Sequence, residues 1–182
     1  MPSGKTHDRL TYLVAPLVLA GGWALTASVG TATFAAASFI FSGLMFGPDL
    51  DLKSKQYYRW GPLRWIWKPY QKLVPHHRHD LSHGLMTGLF FRMAYFTCIL
   101  SLLWVGSLFA LSYAGMGEVV KGAQESSASL FTWLGGQPTH FFLAILFGLW
   151  GGAALHTLAD QAVSGYKQLS KGKRKASRSA RR

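Results

Sequence analysis

The chain has 182 residues, of which 49% are hydrophobic and 14% charged; a typical water-soluble domain carries about 25% charged residues. Nineteen Lys and Arg stand against seven Asp and Glu, a net charge of +12, which directs attention to anionic partners. The single cysteine, Cys98, excludes an intrachain disulfide and any cysteine-based metal site, and it reads as a small packing residue.

Residues 10–48 carry no charge. At about 1.5 Å per residue such a helix would far overrun a hydrocarbon core of about 30 Å, so the block predicts a hairpin. Its spans are Leu10–Ser28 and Ala32–Phe46, with the turn at Val29-Gly30-Thr31. Lys5 and Arg9 ahead of apolar residues suggest a secretory leader, but the apolar character runs on to Phe46 and argues for a retained span. Gly47-Pro48 ends the second span. The loop Asp49–Ser82 then interleaves Lys53, Lys55, Arg59, Arg64, Lys68, Lys72 and Arg78 with Tyr57, Tyr58, Trp60, Trp65, Trp67 and Tyr70. That mixture suits a lipid headgroup layer; a small aromatic core is the plainer alternative. No nucleic-acid-binding fold signature surrounds it.

A third span is predicted over Leu85–Tyr113. It contains Arg92, read as snorkelling to the interface; on a straight helix Arg92 would lie about 180° from His83. Ala114–Pro138 is polar and rich in Gly and Ser and reads as a loop. The fourth span is Thr139–Ala159, and the basic segment Lys167–Arg182 reads as disordered. The fold class expected is all-α: a polytopic bundle of about four transmembrane helices, with a membrane-embedded domain over residues 1–166 and a basic tail over 167–182. The excess of Lys and Arg in the N-terminus, the Asp49–Ser82 loop and the tail puts all three on the cytoplasmic side. The expected partners are membrane lipids, with anionic headgroups held by the basic loop and tail, and no specific nucleic acid.

On this topology six of the seven histidines and all five aspartates fall at one membrane face. His7 and Asp8 precede span one. Asp49 and Asp51 follow span two. His76, His77, His79, Asp80 and His83 precede span three, and His156 and Asp160 close span four. Only His140 lies at the other face. His79 with His83, and His156 with Asp160, are i,i+4 pairs that share a helical face. Imidazole and carboxylate together suit Zn²⁺, Mn²⁺ or Fe²⁺. Each piece alone is weak, since a lone histidine at a helix end is usually a cap or a solvated residue. The argument rests on four chain segments meeting at one face.

Thr6-His7, Pro48-Asp49-Leu50-Asp51, Ser82-His83-Gly84 and His156-x-x-x-Asp160 resemble the YdjM-type membrane-bound metal-dependent hydrolases. The stretches Met1–Asp8, Phe46–Asp51 and His77–His83, with the basic aromatic loop, more closely resemble a bacterial family of unknown function called metal-binding proteins. The resemblance covers about residues 1–165. It implies a metal site at His7, the aspartates, His83, His156 and Asp160. The full expectation is a divalent metal, zinc foremost, held at the inner membrane by His7, Asp49, Asp51, His79, His83, His156 and Asp160, with Asp51 and Asp80 as catalytic carboxylates. One departure stands out: His77-Arg78 sits one residue farther from Ser82-His83 than in YdjM-type sequences, so the choice of ligand among His76, His77 and His79 stays open.

These readings favour a metal-dependent hydrolase of a phosphoester or lipid-like substrate at the cytoplasmic face. The alternative is a non-catalytic metal-binding scaffold. A transporter is disfavoured, because spans one, two and four carry no ionisable residue at mid-depth. No serine-nucleophile motif, phosphate-cradling glycine loop or dinucleotide fingerprint occurs.

Overall fold

The computed structural model describes residues 4–74, 76 and 79–179, with side chains through Tyr166 and that of Ser170. Among the described residues the chain is helical throughout: α1 Gly4–Thr26, α2 Val29–Leu44, α3 Lys55–Arg59, α4 Trp67–Leu73, α5 Asp80–His83, α6 Thr87–Tyr113, α7 Gly117–Gly135 and α8 Thr139–Ser179. Short 3₁₀ turns at Pro48–Asp51 and Gly61–Ile66 link the middle elements.

The predicted hairpin is present, but its turn lies at Ala27-Ser28, before the predicted Val29-Gly30-Thr31. Ala27 takes a positive φ of 50°, and the Ser28 side chain caps α2 by accepting from Thr31 N at 3.2 Å. Four helical stretches are long and apolar enough to cross a membrane: Gly4–Thr26, Val29–Asp51, Thr87–Tyr113 and Thr139–Tyr166.

The stretch Ala114–Pro138 is not the loop its composition suggests; it folds as α7. Val119, Val120, Ala123, Leu130, Phe131 and Leu134 recur at helical spacing. Its hydroxyls return to the helix backbone, Ser126 to Gly122 O at 2.8 Å and Ser129 to Glu125 O at 2.9 Å. Gly115, at φ 74°, closes α6 in the left-handed conformation, with Met116 N reaching Leu111 O at 3.0 Å. Cys98 is exposed on α6, so it is not the packing residue expected. Beyond Tyr166 the backbone of α8 continues helical into the basic segment for which the sequence reading expects disorder.

Small residues bring α1, α2 and α8 together. Gly148 and Gly152 of α8 lie so close to α2 that a methyl at Gly152 would collide with the Phe39 carbonyl and stand 2.8 Å from Gly43 N. Such close backbone approach is what small-xxx-small spacing permits. Fully buried Ser42 adds a hydrogen bond from its hydroxyl to Leu149 O at 2.5 Å. On the α1 side, Gly43 packs against Thr11 and Gly22 against Ala32.

The loop Asp49–Ser82 folds around a buried core of Phe46, Leu50, Tyr57, Ile66, Trp67 and Tyr70. Trp67 stacks on Phe96 at 5.7 Å, and Trp60 meets Trp67 edge-on at 5.2 Å. Of the loop aromatics singled out in the sequence, only Tyr58 and Trp65 are exposed. The others do what the plainer reading expects and fix the helix ends. Asp8 ties α1 to this cap, pairing with Lys55 and with Arg59 at 2.7 Å.

Candidate metal centre

His7 lies one turn into α1, and Thr11 Oγ1 donates to its carbonyl at 3.0 Å. Asp49 and Asp51 sit in the 3₁₀ turn that Pro48 starts. His83 ends the four-residue α5, which Gly84 terminates with its N–H on Asp80 O. His156 and Asp160 lie one turn apart on α8, both 4% exposed. Four separate segments therefore deliver His7, Asp49, His83, His156 and Asp160 to one place.

The donor atoms face one another. His7 Nε2 is 3.4 Å from Asp160 Oδ1, and His156 Nε2 is 3.2 Å from Asp49 Oδ2 and 3.9 Å from Asp160 Oδ2. His83 Nε2 is 3.6 Å from Asp49 Oδ1. The His7 and His156 rings stack at 3.7 Å with 10° between planes. These separations exceed the 2.7–2.9 Å or so of a charge-assisted hydrogen bond. They match the roughly 3.3 Å edge between two donors that each sit about 2.0 Å from one tetrahedral ion. Asp49 Oδ1, His156 Nε2 and both carboxylate oxygens of Asp160 are buried without a hydrogen-bond partner among the described residues, an arrangement that costs several kcal/mol per buried charge unless a cation satisfies it.

His83 Nε2 faces Asp49 Oδ1 at 3.6 Å, and Ser82 Oγ lies 3.0 Å from His83 Nδ1 and 3.1 Å from His79 O. In the tautomer with the proton on Nδ1, donated to Ser82 Oγ, Nε2 can ligate a metal beside Asp49, as outer partners of metal-bound histidines arrange. Asp51 Oδ2 also stands 3.9 Å from His83 Nδ1, behind the ring rather than in the donor cluster.

The other sequence candidates lie apart from the cluster. The His79 side chain caps α5, its Nδ1 accepting from Leu81 N at 3.1 Å. Asp80 is exposed in the first turn of α5. His76 is exposed, its ring edge-on to His79 at 5.0 Å. His77 lies outside the described residues. His140 is exposed at the far end of α8, beside Leu25 and Thr26.

Two residues at the centre escape the sequence reading. Arg92 is 1% exposed and does not snorkel. It donates to Ser82 O at 2.5 Å and stands by the Tyr70 hydroxyl, within Coulomb reach of Asp51 and Asp49. The straight-helix argument fails because the chain breaks between His83 and Thr87, and α5 folds back on α6. Gly88 permits this: a methyl there would stand 2.5 Å from Ser82 O. Burial pushes the Tyr70 hydroxyl up to about 12, so it remains a neutral donor, to Leu81 O at 3.3 Å. The second residue, Gln56, is buried and donates to Gly43 O at 3.0 Å, with the same nitrogen 3.4 Å from His156 Nδ1. An ionisable residue inside an apolar span was signal enough for Arg92; Gln56 gave none.

The family model for "Uncharacterized metal-binding protein (DUF2227)" matches residues 2–170. The chain belongs to this family. No curated protein and no solved structure matches it. The family description says metal-binding, and the geometry supplies His and Asp groups that could hold a metal. The matched span takes in every residue of the cluster.

A cavity of about 200 Å³ opens beside the donors, lined by His7, Asp49, Gln56 and His156 and by Asp8 with its two ion-pair partners Lys55 and Arg59.

Proposed function

We propose that the chain is a membrane-embedded metal-dependent hydrolase acting on a phosphoester or lipid-like substrate at the cytoplasmic face, related to the YdjM-type enzymes. The observation that carries this reading is the cavity where buried, mutually facing acceptors meet Lys55 and Arg59. His7, Asp49, His83, His156 and Asp160 would hold the metal, with zinc the first expectation and Mn²⁺ or Fe²⁺ the others. A bound divalent ion supplies a Lewis acid and lowers the pKa of water. The protein's own side chains do the rest. Lys55 and Arg59, which share Asp8 and together leave one net positive charge at the cavity, attract the anionic group, Gln56 steadies His156, and Asp51 stands behind His83. Asp80 is exposed on α5 and does not line the cavity, and it takes no catalytic part here.

Membrane embedding is supported by the outward faces of the apolar helices. Leu13, Leu17, Trp23, Leu25, Phe109 and Phe147 are each more than half exposed, an apolar surface that lipid would cover. The basic loop and tail then mark the cytoplasmic side, with both termini there.

The test uses the full chain in lipid nanodiscs, loaded with Zn²⁺ or Mn²⁺ and offered p-nitrophenyl phosphate, bis-p-nitrophenyl phosphate and anionic phospholipid. Turnover that EDTA abolishes and that added Zn²⁺ or Mn²⁺ restores supports the hydrolase. A metal-loaded protein inert on the whole panel favours the scaffold reading, in which the metal ties four segments together. The deep burial of His7, His156 and Asp160 is the observation behind that second reading.

A further inference from the structure

The five donors do not surround a single point evenly. They divide into two triads of mutually close atoms, His7 with His156 and Asp160, and Asp49 with His83 and Asp160, each within 4.8 Å. Asp160 belongs to both. Its Oδ1 faces His7 and its Oδ2 faces His156. Asp49 also spans the triads, with Oδ1 toward His83 and Oδ2 toward His156. Asp49 thus offers one oxygen to each triad, the disposition of a bridging carboxylate in a paired-metal site, where ions sit about 3.5–4 Å apart, while both Asp160 contacts lie in the first triad and Asp160 also falls within reach of the second.

The triads differ in exposure. All three members of the first are buried, whereas Asp49 and His83 of the second are half-buried. The second triad therefore faces the solvent side of the centre, and Asp49 opens onto the cavity with Lys55 and Arg59. Structural metal sites are closed, and sites that exchange or bind substrate keep an accessible position.

Charge points the same way. Asp49, Asp51 and Asp160, with Arg92 as the buried counter-cation, leave two negative charges. A single divalent ion would neutralise them, leaving only the one net positive charge of Lys55 and Arg59 against Asp8 to draw an anion. Two ions make the centre net positive by two, the complement of a doubly charged phosphoryl group.

We propose that the centre holds two metal ions of unequal lability, bridged by Asp49 and Asp160: an inner ion on His7 and His156, and an outer, exchangeable ion on His83. This rests on the metal-binding reading above and adds the number of ions and the division of ligands. The outer ion is the one a phosphoester substrate would meet.

The experiment is metal counting on the full chain purified in detergent, saturated with Mn²⁺, desalted, and analysed by elemental mass spectrometry and electron paramagnetic resonance. Two ions per chain with an exchange-coupled signal are expected, and brief chelation should remove one and leave an isolated Mn²⁺ signal. His83→Ala should hold one ion with that isolated signal from the outset. Asp160→Asn should lose more than either single-triad change. One ion per chain at saturation, with no coupled signal, overturns the proposal and leaves the metal-binding reading standing. No ion at all overturns both. The wild-type count decides even if a variant fails to fold.

Discussion

Arg92→Met separates a positioning role at the centre from plain core filling. Methionine is apolar, flexible and close in length, so little volume is lost. What disappears is the buried cation. Its hydrogen bond to Ser82 O at 2.5 Å is charge-assisted, a class worth about 1.5–3 kcal/mol, and the carbonyl left behind adds a desolvation penalty of about 1–3 kcal/mol. Asp51 and Asp49 lose their nearest buried positive charge as well. A loss of about 3–5 kcal/mol in the metal-free protein follows, within the range for breaking a buried charged network. At about 2–4 °C per kcal/mol for a chain of this size, that is a fall of about 6–20 °C in Tm. Metal should restore part of it, because a bound cation replaces the missing charge beside Asp49. The assay is a thermal melt of wild type and variant in the same detergent, with and without saturating Zn²⁺. The Zn²⁺-induced rise in Tm should be larger in the variant than in wild type. An equal rise would mean that Arg92 does not communicate with the centre, and a fall in Tm below about 2 °C would refute the energetic argument altogether.

Gly152→Ala should cost about 1–3 kcal/mol by forcing α8 away from the Phe39 carbonyl, whereas Gly106→Ala, with nothing within 4 Å, should be neutral or slightly stabilising; paired thermal melts check both. Metal binding should weaken as the medium is made acid, since His7, His83 and His156 must be unprotonated to bind; titration with a competing chelator at stepped pH reads this, and a flat profile counts against histidine ligation. His140→Ala should leave metal content unchanged, because it lies at the opposite end of α8 from His156, and elemental analysis beside His156→Ala settles it. Reporter fusions in the α6–α7 turn, near Gly115, and after Arg182 should report opposite sides of the membrane; the same side would undo the proposed topology.

The long apolar helices were legible because burial in lipid or in a helical bundle needs only composition and length, and both are local. The gathering of His7, Asp49, His83, His156 and Asp160 was legible for a related reason. Helix lengths set which ends share a face, so residues far apart in sequence could be placed at one level without knowing how the helices pack. That reasoning fixes a level but not a position within it. His79 and Asp80 stand at the same level as His83 and are near it in sequence, yet the β-region backbone at His79 turns its ring into a helix cap. A one-dimensional reading has no means of telling a capping histidine from a ligand four residues away.

Arg92 and Gln56 mark the same boundary from the other side. The sequence argument against Arg92 assumed a continuous helix from His83, and a continuous helix was reasonable, since one glycine does not end a helix by propensity alone. What ends it is tertiary. Gly84 and Gly88 let α5 fold against α6 so closely that any side chain at Gly88 would press on Ser82 O, and the carbonyl thus delivered is the one that Arg92 holds. The glycines, the arginine and the placement of His83 are therefore one device. Ser82 meets the His83 ring through its hydroxyl and holds Arg92 through its carbonyl, so the cation buried in α6 and the imidazole at the centre belong to the same network. A glycine pair flanking a short break beside a buried arginine was the signal available, and it becomes readable only when the break is taken as the means of packing rather than as punctuation.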